Sequence, residues 1–161
     1  MANLDRQTYK SSWNPNTAEM VLKFSDNSGA GAAGDYEASV KVPAGSYITD
    51  VLVAGVAVWN AGSSATLIVG DADDDDLYYT GVNASASDLA AGEVLSFGHD
   101  GGKKGAGNTD DNGLVGSYQS AIRQVTCKMT LVGTAATTGE TRIVVVWVKP
   151  TDSVSSSFTA A

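Results

Sequence analysis

The chain is poor in the residues that most often carry covalent cross-links or chemistry. Its 161 residues include one cysteine, Cys127, and one histidine, His99. A single cysteine cannot form a disulfide within the chain. The first six residues lack the apolar stretch of a signal peptide, and no apolar run approaches the roughly 20 residues of a membrane span. These absences predict synthesis and folding in a reducing cytoplasm.

Charged residues are also scarce, and basic ones most of all. Only 17% of residues are charged, the formal net charge is −8, and the sequence pI is about 4.4. No Lys or Arg occurs between Lys41 and Lys103, a stretch that holds nine acidic residues. Because phosphate binding needs a basic surface, the composition excludes nucleic acid as an expected partner. The acidic stretch is interpreted first as a solubilising surface, and second as a face that seeks cations or a basic partner.

Side-chain alternation is the main structural signal in this sequence. Residues 36–42 and 124–132 alternate apolar and polar side chains, which is typical of half-buried strands. Residues 141–148 are continuously apolar from Ile143, which indicates a strand covered on both sides. A Pro-Ala-Gly-Ser turn at 43–46 predicts a hairpin between 36–42 and 47–53, with a bulge at Gly55. Further strands are predicted at 19–24, 56–59, 65–69, 77–80 and 93–97, and a long loop at 98–117.

About eight short strands and no convincing helix predict an all-β protein with a single two-sheet sandwich or a barrel. A jelly-roll-like β-sandwich is the preferred interpretation. The sandwich is assigned to residues 18–150. Residues 1–17 are predicted to form an extended N-terminal arm, and the Ser-rich residues 151–161 a C-terminal arm.

The one unusual local feature is an acidic run at residues 71–76, with five Asp in six residues. Carboxylates at this density repel one another, and a calcium ion would relieve that repulsion. Asp71, Asp73 and Asp75 have the spacing that opens a helix-loop-helix calcium loop. The resemblance then fails, because Asp76 stands at the glycine position and Val82 at the position of the bidentate glutamate. A solvated turn is therefore preferred over a calcium site, and docking against a basic patch on another subunit is a third interpretation.

Residues that could catalyse a reaction are few. His99 lies in a Gly- and Asp-rich loop, where an exposed residue is the preferred interpretation over a general base. Cys127 lies on the apolar face of an alternating strand and is expected to behave as a small buried hydrophobe. No nucleophile-elbow or phosphate-binding glycine pattern accompanies either residue. The sequence therefore predicts a protein that is not an enzyme and has no cofactor, apart from the possible calcium.

Aromatic residues suggest where a partner could bind. Trp13, beside Pro15 in the N-terminal arm, is predicted to anchor in a partner's pocket, since large aromatics dominate interface energetics. Trp59, Tyr78 and Tyr79 would favour binding of a glycan if they were exposed together on one face.

Two segments resemble a known group of proteins. The segment at 40–51, V-K-V-P-A-G-S-Y-I-T-D-V, resembles the V-x-V-P-A-G-x-x-I-T-D-V hairpin of small virion proteins of tailed bacteriophages, and L-I-V-G-D-A-D-D at 67–74 continues it. Residues 142–148 resemble the closing strand of the same proteins. The similarity covers roughly residues 41–149, and its specific part is the first two segments.

The resemblance is strongest to head decoration, or cement, proteins. It implies a β-sandwich that forms a homotrimer on the outer capsid surface, contacts the major capsid protein and stiffens the expanded shell. It also implies that the V-G-D-A-D-D turn is a shared structural element. Two other classes stay open: a tail or fibre component that binds cell-surface glycan, and a cytoplasmic enzyme or metal-binding module.

Overall fold

The computed structural model describes residues 15–26, 34–85, 87–108 and 117–150. Within these ranges the chain forms nine strands and two short 3-10 turns. The described residues include no helix long and apolar enough to cross a membrane. The strands are β1 (Asn16–Lys23), β2 (Asp35–Val42), β3 (Ser46–Ala57), β4 (Ser64–Gly70), β5 (Tyr79–Asn83), β6 (Val94–Leu95), β7 (Ser117–Gln119), β8 (Arg123–Val132) and β9 (Glu140–Val148). The 3-10 turns are Phe24–Asp26 and Ala106–Asn108.

The strands form two antiparallel sheets. The first has the order β1-β9-β3-β6, with β7 also paired to β3, and the second has the order β2-β8-β4-β5. Pairs nest along the chain: β1 with β9, β2 with β8, β3 with β6 and β7, and β4 with β5. The chain thus folds as one long antiparallel ribbon rolled over itself into a two-sheet sandwich. The prediction of a single all-β sandwich of about eight strands is confirmed.

The core lies between the two sheets and is built by the alternation seen in the sequence. Val125, Cys127 and Met129 of β8 are fully buried, as are Ile143 and Val145 of β9. Val144 and Val146, which point outward in the apolar run of β9, are only half-buried, so this run is not covered fully on both sides. β9 is a central strand of its sheet, paired with β1 on one side and with β3 on the other.

The predicted hairpin between residues 36–42 and 47–53 is wrong. Both segments are strands, but β2 pairs with β8 in one sheet, and β3 pairs with β9 in the other. The connecting turn, in which Gly45 has a φ of 78°, carries the chain from one sheet to the other. Each strand has a buried face, and a sandwich lets these two faces pack against each other across the core. If β2 and β3 were paired in one sheet, their buried faces would point the same way, and other strands would have to form the opposite side of the core.

The bulge predicted at Gly55 is confirmed. The register between β3 and β9 shifts between Gly55 and Ala57, and β3 continues through the bulge to Ala57. A Cβ at Gly55 would collide with the carbonyl oxygen of Ala90. The missing side chain therefore lets the loop before β6 approach β3 directly. The Gly55 amide donates to the carbonyl oxygen of Glu93, and the Gly55 carbonyl oxygen accepts from the Gly92 amide.

The ends of the sandwich differ slightly from the predicted boundaries. β1 begins at Asn16, which pairs with Trp147, so the first sheet starts two residues inside the predicted arm of residues 1–17. Residues 1–14 and 151–161 lie outside the described part of the chain.

A buried tyrosine links the two sheets. Tyr79, at the start of β5 in the second sheet, donates its hydroxyl to the carbonyl oxygen of Val51 in the first sheet at 2.8 Å. Burial raises the pKa of the Tyr79 hydroxyl above its ordinary value, so the group stays protonated and can donate.

Replacing this hydroxyl tests the link between the sheets. We expect Tyr79→Phe to lower the free energy of unfolding by about 1–3 kcal/mol, because it removes a buried hydrogen bond. Tyr118→Phe is the matched control: the side chain of Tyr118 is 57% exposed, and we expect a change below about 0.5 kcal/mol. Chemical denaturation of both variants measures the difference. Equal losses in the two variants would contradict a role for the cross-sheet bond.

Candidate functional site

The acidic turn at residues 71–76 is built around one side chain. Asp71 follows β4 directly, and its Oδ1 accepts hydrogen bonds from the backbone amides of Asp73 at 2.9 Å and Asp74 at 3.1 Å. Its own amide donates to the carbonyl oxygen of Asp74 at 2.8 Å. Asp71 therefore closes the turn on itself, in the way typical of aspartate in tight turns.

The same carboxylate is tied to the neighbouring strand. Asp71 Oδ2 lies 2.7 Å from Nη1 of Arg123, the first residue of β8, and the Asp71 side chain is only 3% exposed. Asp71 is thus engaged on both oxygens, one by the turn amides and one by a cation. Its role in the described structure is to attach the turn to the sheet.

The three carboxylates that the structure does bring together are those of Asp74, Asp75 and Asp76, with oxygens within 4.8 Å of one another. A hydrogen bond with Asp76 raises the pKa of the Asp74 carboxyl, and a hydrogen bond from Thr80 lowers the pKa of Asp76. The calcium site predicted at Asp71, Asp73 and Asp75 stays a prediction.

Calorimetric titration of calcium into the wild type and Asp75→Ala tests it, because only binding at the turn would weaken in the variant.

The residues considered for catalysis do not form a catalytic pair. His99 is exposed and lines a shallow depression of about 380 Å³ with Ser87 and Asp88. The Ser87 hydroxyl bonds to the Asp88 carboxylate, which also accepts from Lys103 at 2.9 Å. Among the described residues, the His99 imidazole has no hydrogen bond to either group. Burial raises the pKa of the Cys127 thiol to about 12, so the thiolate needed for nucleophilic attack is not formed near neutral pH.

The aromatic residues considered for glycan binding are part of the core. Trp59, Tyr78 and Tyr79 are all at most 4% exposed. The Trp59 indole donates to the Thr141 hydroxyl at 2.9 Å and packs edge-on against Tyr36. The three rings therefore offer no stacking surface for a sugar.

The partner-binding prediction falls partly outside the described residues. Trp13 is not among them. Pro15 is exposed and lies immediately before β1. The prediction that these two residues bind a partner stays a prediction.

The sequence did not predict a concave surface at one end of the sandwich. A groove of about 890 Å³ lies at the end of the sandwich where β1 begins and β9 ends. Tyr47 and Tyr118 stand on its wall with ring centroids 5.0 Å apart, and Trp147 and Pro43 also line it. The groove is lined by four separate segments, Asn16, 43–47, 118–120 and 147–150, so no local pattern indicates it. Only the exposed apolar surface that it contains marks it as a candidate interface.

Comparisons with known proteins give a fold and no family. No protein-family model matches the sequence, and no protein of curated function matches it. A chain from the acidic stable capsid structure of Helicobacter pylori bacteriophage KHP30 is similar in structure, with a TM-score of 0.55, 16% identity, and cover of 85% of this chain and 89% of that one. A chain from the cyanophage Pam1 capsid asymmetric unit has a TM-score of 0.59 and 16% identity. The match covers 92% of this chain and 94% of that one. The chain therefore shares its sandwich with both proteins over most of their lengths.

Paired substitutions separate a structural from a solvated role within the acidic turn. We expect Asp71→Ala to lower the free energy of unfolding by about 2–4 kcal/mol, since it removes the oxygen that accepts from two turn amides and leaves the partly buried Arg123 unpaired. Asp75→Ala is the control: its carboxylate is exposed, and we expect a change within about 0.5 kcal/mol. Denaturant unfolding measures both. A tolerated Asp71→Ala would show that the turn does not depend on this carboxylate.

Proposed function

We propose that the chain is a bacteriophage capsid decoration protein that binds the outer surface of the major capsid protein lattice and stabilises the head. The observation that carries the proposal is the structural similarity to chains of two phage capsids, which extends over 85% or more of each chain compared. The resemblance of residues 40–51 and 67–74 to small virion proteins supports the same class from the sequence.

The described chemistry suits this role. A protein that coats a shell needs no catalysis. Burial raises the pKa of the Cys127 thiol, which is therefore not activated as a nucleophile. The net charge of −8 is unsuited to binding nucleic acid and agrees with a position on the outside of the shell. In this proposal the partners are the major capsid protein and further copies of the chain in a homotrimer. Repeated contacts on a symmetric lattice would let individually weak contacts hold firmly.

The alternative is a tail or fibre component that binds cell-surface glycan. The rings on which that alternative depended, Trp59, Tyr78 and Tyr79, are buried. Those three rings therefore give the alternative no support.

Addition of the chain to heads that lack it tests the proposal. We expect the purified protein to bind such heads and to raise the temperature at which they release their genome, because ligands that bind the assembled state stabilise it. Release of DNA during heating, followed with an intercalating dye, measures the shift. The matched control is the same quantity of the heat-denatured chain.

Genome release at an unchanged temperature, with the chain bound, would contradict a stabilising role. Failure to bind the heads at all would contradict the proposal as a whole.

A further inference from the structure

A small apolar depression lies beside the groove, at the same end of the sandwich. It measures about 370 Å³ and is lined by Lys41, Pro43, Ala44, Ile122 and Lys149. We call these five residues the docking corner. They come from the end of β2, the turn after it, the residues before β8 and the residue after β9. Pro43, Ala44 and Lys149 also line the groove, so the two concave surfaces are continuous.

The docking corner has the most exposed apolar surface in the described part of the chain. Ile122 is 67% exposed, and Tyr118, in the adjoining groove, is 57% exposed. No other large hydrophobic residue among those described exceeds these values. Exposed apolar side chains of this size around a concave surface are typical of sites where another protein binds.

The charges at the docking corner differ from those of the rest of the molecule. Of the eight described Lys and Arg residues, six form ion pairs: Lys23, Lys103, Lys104, Arg123, Lys128 and Arg142. Among the described residues, Lys41 and Lys149 form none, and both are exposed. Within the ranges that the structure describes, the two cations without an ion pair thus line one depression together with an exposed isoleucine. Arg123, which follows Ile122, is already neutralised by Asp71.

We infer that the docking corner binds an acidic, partly apolar protein surface, which, given the proposed function, is a site on the capsid shell. An apolar side chain of the shell packs against Ile122, and carboxylates beside it face Lys41 and Lys149. Two lysines are too few to hold a polyanion such as nucleic acid against a net charge of −8. Two lysines are enough to favour an acidic protein surface over others and to set its orientation, while the apolar contact provides the buried area.

Charge reversal at the docking corner tests the inference on heads that lack the chain. We expect Lys41→Glu/Lys149→Glu to bind such heads at least about tenfold more weakly than wild type, with reduced sensitivity to salt. The control is Lys23→Glu/Lys104→Glu, which makes the same change in net charge at two exposed lysines of other surfaces. We expect its affinity to stay within about twofold of wild type. Thermal unfolding of the free proteins verifies that both double variants fold.

A second pair of variants tests the apolar contact. We expect Ile122→Ser to weaken binding at least about tenfold, because Ile122 is the apolar contact of the docking corner. Val132→Ser is its control, since Val132 is 50% exposed at the opposite end of β8. Co-sedimentation with heads, at several concentrations of the chain, measures all affinities.

The outcomes separate this inference from the proposed function. If wild type does not bind the heads, the proposed function is wrong. If wild type binds and the docking-corner variants bind as tightly as their controls, the inference is overturned while decoration of the head stands.

Two further results would assign the docking corner to another occupant and overturn the inference. A change in the oligomeric state of the free variants, measured by sedimentation, would identify a contact between copies. Tighter binding by a chain truncated after Pro150 would identify the chain's own C-terminal residues.

Discussion

The pairing of β9 with both β1 and β3 is the interaction on which the rest of the structure depends. It joins the last described strand to the first one, and it places Ile143 and Val145 at the centre of the core. The chain has no disulfide to hold these distant segments, since Cys127 is its one cysteine. Burial of apolar side chains between the two sheets must therefore provide most of the stability. Partners so far apart in the sequence also make such a fold slow to form.

The same pairing determines what the molecule can present to a partner. Because the ribbon is rolled over itself, the start of β1, the end of β2, the start of β8 and the end of β9 meet at one end of the sandwich. The groove and the docking corner lie there, and so do Lys41 and Lys149, which form no ion pair within the described part of the chain. Pairing within the sheets fixes the positions of the strands that carry or flank these residues. This arrangement suits a protein whose work is to bind a fixed lattice.

The sequence predicted the parts of the fold that depend on local alternation. β2, β8 and β9 were predicted within a residue of their observed bounds, and so was the bulge at Gly55. The hairpin between β2 and β3 was wrong because a short turn between two strands does not reveal whether they share a sheet. Their partners, β8 and β9, are supplied from the other end of the chain. The short strand β7 begins at Ser117, where the predicted long loop ends, and its three paired residues leave too little alternation to detect.

The candidate sites also divide into features that a local sequence pattern predicts and features that only the fold reveals. The acidic run was visible as composition, but the ion pair of Asp71 with Arg123 joins residues that are distant in the sequence. For that reason the attachment of the turn to β8 could not be predicted. Lys41, Ile122 and Lys149 are ordinary surface residues in the sequence, and they become a candidate interface only when the fold places them on one depression. Burial of Trp59, Tyr78 and Tyr79 likewise required the structure.

The central claim is that the chain coats the capsid lattice, and its copy number in purified phage particles tests that claim most directly. Quantitative mass spectrometry against the major capsid protein gives the ratio. The account predicts one copy per capsid subunit or a simple fraction of it, because each lattice position offers the same contact. A handful of copies per particle, or none, would contradict it.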